Sequence, residues 1–72
     1  METEQRMDVM TNLKQVRESR GLSQSQLAKA SGVNVRLIQN YEQAFRNINK
    51  ASAETVLKLA DALQCDIREI ME

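Results

Sequence analysis

Two short runs of helix-forming residues flank the segment Ser31-Gly32-Val33-Asn34, which restricts the fold more than any other part of the sequence. Gly32 suits the left-handed backbone that commonly follows a helix, and Asn34 is a good N-cap for the next helix. The turn between the two helices is therefore about three or four residues long. We predict helix 2 over residues 24–30, with a capping box formed by Ser23 and Gln26, and helix 3 over residues 35–42.

Helix 3 has two chemically different faces. Ile38 and Tyr41 fall on one side, where they can join Leu27 of helix 2 in a core. The opposite side carries polar residues that no apolar partner requires: Arg36, Gln39, Asn40 and Gln43. This second face is available to bind another molecule.

Hydrophobic spacing predicts three further helices. Helix 1 runs from Met10 and stops at Gly21; the apolar residues Met10, Leu13 and Val16, joined by Arg17 and Arg20, follow the 3,4 spacing of an amphipathic helix. Helix 4 covers residues 52–63 with the core stripe Val56, Leu59, Ala60 and Leu63. A second capping box, Asp66 to Glu69, opens a short helix 5 that packs Ile67 and Ile70. Residues 44–50 read as a loop with Phe45 and Ile48 against the body, and residues 1–9 as a flexible N-terminal arm.

The chain is thus predicted to be one compact all-α domain of five helices over residues 10–72, because 72 residues leave no room for a second core. There is no histidine, and Cys65 is the single cysteine, so the usual general base and metal ligands are missing. We predict no enzyme activity, no metal and no cofactor. The N-terminus is polar and no apolar run approaches the about 18 residues of a membrane span, which favours a cytoplasmic protein.

A set of residues spaced across four consecutive helices carries a resemblance to a known family. They are Leu13, Arg17, Gly21, Leu22, Ser23, Gln24, Leu27, Ala28, Gly32, Val33, Ile38, Tyr41 and Glu42, with the stretch from Val56 to Leu63. This pattern closely resembles the repressor-like helix-turn-helix family of the phage lambda and 434 repressors and Cro, the xenobiotic-response-element type of bacterial regulators. The resemblance covers about residues 10–71. It implies the lambda-repressor-like DNA-binding fold, with helix 3 entering the major groove of double-stranded DNA.

The resemblance also implies roles for individual residues. Base contacts would come from Val35, Arg36 and Asn40, with Gln39 alongside, and phosphate contacts from Gln24, Asn34, Arg46, Asn47 and Lys50. The chemistry agrees: Arg36 can bind guanine O6 and N7, Asn40 can bind adenine N6 and N7, and Val35 can pack against a thymine methyl group. In the family, the residues at Arg17 and Glu42 form an ion pair that ties helix 3 to the scaffold.

The chain has ten basic and ten acidic residues, so its formal net charge is zero. The acidic residues lie mostly in the arm and the last two helices, whereas Arg36, Arg46 and Lys50 cluster around the proposed reading surface. Because binding depends on the local field rather than on the sum, the neutral total is compatible with DNA binding.

The sequence departs from the family after helix 3, where Gln43-Ala44 replaces a common glycine. This change either extends helix 3 by a residue or shifts the loop that carries Arg46. We predict a small stand-alone transcriptional regulator, a repressor, that binds as a homodimer through the outer side of helices 4 and 5, with Leu57 and Met71. The alternative is an antitoxin or adaptor that uses the same fold mainly to bind another protein.

Overall fold

The computed structural model describes residues 10–72, which form five α-helices and no strand. These are α1 Asn12–Ser19, α2 Gln24–Ser31, α3 Val35–Glu42, α4 Ala53–Leu63 and α5 Ile67–Ile70, with a 3-10 turn at Ile48–Lys50 between α3 and α4. The predicted all-α, five-helix class is confirmed. The arm predicted over residues 1–9 lies outside the described residues.

Each helix begins where a polar side chain caps its first turn. The predicted capping boxes at Ser23 and Asp66 are both formed, and Ser23 Oγ accepts from the Gln26 amide at 3.0 Å. Thr11 caps α1 by accepting from the Lys14 amide at 3.2 Å, so the helix starts at Asn12 rather than at Met10. Met10 therefore lies outside the helix and is 48% exposed, contrary to its predicted place in the amphipathic helix 1.

Three helices end in the same hydrogen-bonded turn. The amide after a left-handed residue bonds back five positions, from Leu22 to Arg17, from Phe45 to Asn40 and from Cys65 to Ala60, at 3.2, 2.9 and 3.0 Å. The left-handed residues are Gly21, Ala44 and Gln64, with φ of 72°, 62° and 56°. A residue with a Cβ loses roughly 1–2 kcal/mol in this conformation, whereas glycine does not. The turns at Ala44 and Gln64 are therefore strained. Of the two outcomes predicted for Gln43-Ala44, an extended helix 3 is not observed, because α3 ends at Glu42.

The core is apolar and draws on every helix. Its most deeply buried side chains are Leu13, Leu27, Ile38, Leu59, Leu63 and Ile70. The loop after α3 contributes Ile48, which is 3% exposed, but Phe45 is 75% exposed and not against the body as predicted. The 3-10 turn brings Ile48 inward, whereas Phe45 directly follows the left-handed residue, and its amide closes the end of α3.

Two asparagines fasten the last residues of the chain to the rest of the domain. Asn49 Nδ2 donates to the Glu72 carbonyl at 3.0 Å, and its Oδ1 accepts from the Glu72 amide at 2.9 Å. Asn12 Nδ2 donates to the Met71 carbonyl at 2.7 Å. These bonds hold the 3-10 turn, which carries Lys50, in a fixed place near the start of α1.

Candidate nucleic-acid interface

The turn between α2 and α3 is held by local bonds and by one buried side chain. Gly32 has φ of 78°, and its amide donates to the Ala28 carbonyl at 2.8 Å. The Val33 amide donates to Ser31 Oγ at 3.1 Å, and the Val33 side chain joins the core. Asn34 then caps α3 by accepting from the Arg36 amide at 2.7 Å. The short turn fixes how α3 lies against α2.

One side of α3 faces the core and the other faces outward. Ile38 and Tyr41 are buried, at 0% and 6% exposure. Arg36 is exposed, whereas Val35, Gln39 and Asn40 are half-buried. Residues 36 and 40 are one helical turn apart, so they lie on neighbouring positions of one face. This face presents a guanidinium and a carboxamide, the two side-chain groups that make the commonest paired hydrogen bonds to base edges.

A buried ion pair ties this helix to α1. Arg17 Nε lies 2.6 Å from Glu42 Oε2, and Arg17 Nη2 donates to Glu42 Oε1 at 2.9 Å. The remaining arm of the guanidinium, Nη1, donates to the Leu22 carbonyl at 2.7 Å. The hydrogen bonding of the Arg17 guanidinium to Glu42, which accepts, is the main cause that raises the pKa of Arg17 above its usual value. Both side chains are nearly inaccessible to solvent, so the pair is a fixed structural connection.

Gln24, the first residue of α2, is half-buried and joined to the same carboxylate. Its Nε2 donates to Glu42 Oε1 at 3.0 Å. No local sequence spacing predicts this bond, because its partners are 18 positions apart. The structure thus brings together Arg17, Glu42 and Gln24, which the sequence had assigned to two separate roles.

Two predicted phosphate-contacting asparagines use their side-chain oxygen within the fold. Asn34 Oδ1 accepts from the Arg36 amide, and Asn47 Oδ1 accepts from the Asn49 amide at 2.9 Å. In an asparagine the other end of the carboxamide is a donor of two hydrogens. Because both side-chain oxygens are engaged, the Nδ2 group of each asparagine remains as a hydrogen-bond donor. A phosphate oxygen only accepts hydrogen bonds, so this donor suits it.

The loop after α3 carries two cations beside a groove. The groove has a volume of about 440 Å³ and is lined by Leu37, Tyr41, Arg46, Asn47, Lys50, Ala51, Ser52 and Thr55. Arg46 and Lys50 are exposed. The amides of Phe45 and Arg46 both donate to the Asn40 carbonyl, at 2.9 and 3.2 Å. The loop with its cations is therefore fastened to the same residue of α3 that is predicted to contact a base.

A second, apolar groove lies between α4 and α5. Its volume is about 300 Å³, and its lining residues are Ala51, Ala53, Val56, Leu57, Ile67 and Met71. Leu57 is 51% exposed, and Met71 is half-buried. Leu57 and Met71, which the sequence analysis had selected as interface residues, thus border one apolar concavity.

Other kinds of site find no support in the described part of the chain. Between residues 10 and 72, no three side chains of the types His, Cys, Asp and Glu come together as metal ligands would. None of the helices in this range is long and apolar enough to cross a membrane.

Comparisons with known proteins agree with this geometry. A sequence model of the helix-turn-helix family matches residues 13–70. Among solved structures, the restriction-modification controller protein C.AhdI from Aeromonas hydrophila is 37% identical in sequence, with a TM-score of 0.73. The match covers 83% of this chain and 86% of that chain. No curated protein sequence matches the chain significantly.

Proposed function

Because this chain belongs to the helix-turn-helix family of the Cro and C1 type, we propose that it is a transcriptional repressor that reads double-stranded DNA with α3. Family membership and the controller-protein relative support DNA-binding transcriptional regulation rather than catalysis. The repressor role and the insertion of α3 into the major groove are the proposed steps beyond that.

The outward face of α3 carries the proposal. Arg36 and Asn40 lie one turn apart on this face, while Ile38 and Tyr41 anchor the opposite face in the core. We propose that Arg36 binds guanine O6 and N7 and that Asn40 binds adenine N6 and N7 in the major groove. Val35 and Gln39 border this pair and contact neighbouring base edges. An α-helix fits the width of the major groove, so an anchored helix with an outward polar face is suited to this position.

Phosphate contacts hold α3 in register on the duplex. We assign them to side chains around the reading face: Gln24, Asn34, Arg46, Asn47 and Lys50. The carboxamides of Asn34 and Asn47 have donors that suit a phosphate, and Arg46 and Lys50 add positive charge at the groove beside α3. Since such contacts carry no base information, they contribute affinity and orientation but not sequence preference.

A single domain of this size covers only half of a two-fold operator, so we propose that the protein binds DNA as a homodimer. The apolar groove between α4 and α5 supports this assignment, because Leu57 exposes half of its side chain beside it. A second copy that presents the same groove would cover both apolar surfaces through one two-fold contact.

Selection from a random pool of duplexes tests the proposal directly. The protein is expected to enrich a two-fold symmetric sequence, and its affinity for that sequence is expected to fall as salt rises, because bound phosphates release counterions. Enrichment of no sequence, together with an affinity that does not change with salt, would favour the alternative of an antitoxin or adaptor. In that case the exposed Phe45 and the groove beside Leu57 are the apolar surfaces that a protein partner would cover.

A further inference from the structure

We infer that Glu42 has a second task besides its ion pair: it is a positioning residue that holds the Gln24 carboxamide ready to donate to a DNA phosphate. This inference rests on the proposed function, since it concerns how one of the proposed phosphate contacts is prepared. It joins two residues whose roles are separate in the sequence pattern.

The contacts around the Glu42 carboxylate carry the inference. Oε2 accepts from Arg17 Nε at 2.6 Å, while Oε1 accepts from both Arg17 Nη2 and Gln24 Nε2, at 2.9 and 3.0 Å. Glu42 is 3% exposed; its two bonds from Arg17 are buried, and the bond from Gln24 is partly buried. The carboxylate is therefore held by Arg17 and presents one oxygen to the start of α2.

The neighbouring Glu42 carboxylate allows only one orientation of the Gln24 side-chain amide. The amide oxygen would be repelled by Glu42, whereas the amide nitrogen donates to it. One of the two Nε2 hydrogens is used in this bond, and the second remains a donor. A phosphate oxygen only accepts, so a glutamine held in this orientation is matched to it before DNA arrives. The conformational entropy of the Gln24 side chain is then lost when the protein folds and not when it binds DNA.

The same ion pair also fixes the backbone that leads into α2. Arg17 Nη1 donates to the Leu22 carbonyl at 2.7 Å, immediately before the N-cap residue Ser23. Gln24 is thus held directly through its side chain by Glu42, and Arg17 fixes the backbone two residues before it at Leu22. Since Glu42 is the last residue of α3, the proposed phosphate donor is registered against the reading helix itself.

A double-mutant cycle on DNA binding tests this coupling. The probe is one duplex enriched from the random pool, titrated with the wild type, with Gln24→Ala, with Glu42→Gln and with the double variant. Gln24→Ala is expected to weaken binding about tenfold in the wild type, as for a hydrogen bond to a charged group. In the Glu42→Gln background the same change is expected to weaken binding less than about threefold, because an amide at position 42 both donates and accepts and no longer selects one orientation of the Gln24 side chain.

Lys50→Ala is the matched control, because Lys50 is also a proposed phosphate contact but is not bonded to Glu42. It is expected to weaken binding by the same factor in the wild type and in Glu42→Gln. A general structural effect of Glu42→Gln would change the loss of affinity caused by Gln24→Ala and the loss caused by Lys50→Ala equally. A smaller effect that is specific to Gln24 would identify positioning.

A second measurement needs neither a variant nor DNA. In the free wild-type protein, the Nε2 hydrogens of Gln24 are expected to exchange with water more slowly in NMR spectra than those of the exposed Gln43. Equal exchange rates would overturn the inference even if Glu42→Gln fails to fold.

The outcomes separate this inference from the proposed function. Binding that depends on Arg36 but shows additive effects of Gln24→Ala and Glu42→Gln would overturn the inference alone. Binding that does not depend on Arg36 for any duplex would overturn the proposed function, and the inference with it. Binding that depends on Arg36 and shows coupling specific to Gln24 supports both.

Discussion

The amide of Phe45 donates to the carbonyl of Asn40 at 2.9 Å, which closes the end of α3 across the left-handed residue Ala44. Gly21 occupies the corresponding position after α1. The two turns have the same hydrogen bond but differ in whether their left-handed residue carries a Cβ. This difference makes the strain at Ala44 measurable.

Ala44→Gly is expected to raise the free energy of unfolding by about 1 kcal/mol, because glycine adopts this conformation without strain. Urea denaturation of the two proteins measures the change. Gly21→Ala is the matched reverse substitution and is expected to lower stability by a similar amount. Apart from the adjoining residues of the chain, no atom lies within 4 Å of the Cβ that would be added there, so the loss would report backbone strain and not a clash. An unchanged midpoint for Ala44→Gly would contradict the assignment of strain to this turn.

Glu42→Ala is expected to lower the free energy of unfolding by about 3–5 kcal/mol, because it leaves the buried Arg17 guanidinium without its partner. The double substitution Arg17→Met with Glu42→Leu is expected to cost much less than the sum of the two single losses. Denaturant titrations of Glu42→Ala, of Arg17→Met, of Glu42→Leu and of the double variant give the comparison. Single losses that simply add would show that the pair does not act as a unit.

Stability at low pH is expected to depend on Asp66. The backbone amide of Arg68 donates to Asp66 Oδ1 at 2.9 Å, and this bond is the main cause that lowers the pKa of the carboxyl group. A lowered folded-state pKa contributes stability that is present above the unfolded value of about 3.9 and is lost as pH falls through the folded value. Asp66→Asn should therefore flatten the acid side of the stability curve. Asp66→Ala, which removes the cap altogether, should lower stability at neutral pH as well.

Arg36→Ala is expected to relax base preference at one position of each half-site, with a loss of about 1–3 kcal/mol for the preferred sequence. Lys50→Ala is the comparison, since the loss of a phosphate contact should weaken binding to all duplexes alike and lower the salt slope by about one for each bound protomer. Competition binding with single-base variants of the selected duplex distinguishes the two patterns. A uniform loss for Arg36→Ala would remove it from the base contacts.

Leu57→Glu is expected to weaken self-association, because it places a charge at the edge of the apolar groove between α4 and α5. Sedimentation equilibrium of the protein with and without the selected duplex measures the effect. Lys58→Gln, at the neighbouring exposed position of α4, lowers the net charge by the same one unit and is the control. An equal effect of both substitutions would argue against the groove as the dimer contact.

Local sequence signals predicted most of the helices correctly. Capping residues such as Ser23 and Asp66 act within one helical turn, so their effect is visible in the sequence. The core stripe of α4 was equally clear, because all of its residues lie on one helix. The start of α1 was placed too early because Met10 continues the apolar spacing, although the cap at Thr11 decides where the helix begins.

The remaining features depend on residues that are distant in the sequence. Two examples are the hydrogen bond between Gln24 and Glu42 and the hydrogen bond between Asn49 and Glu72. Both form only after the helices have packed. The exposure of Phe45 was missed for a different reason. An aromatic residue in a loop is usually expected to be buried, but here Ile48 is the loop residue that joins the core, at 3% exposed, whereas Phe45 is 75% exposed.

The loop and the reading helix are joined through the main-chain carbonyl of Asn40, and the side chain takes no part in that connection. Any amino acid with ordinary helical backbone geometry would supply the same acceptor. We therefore expect that exchange of the residue at this position changes which operator is preferred, while the support of the loop stays intact.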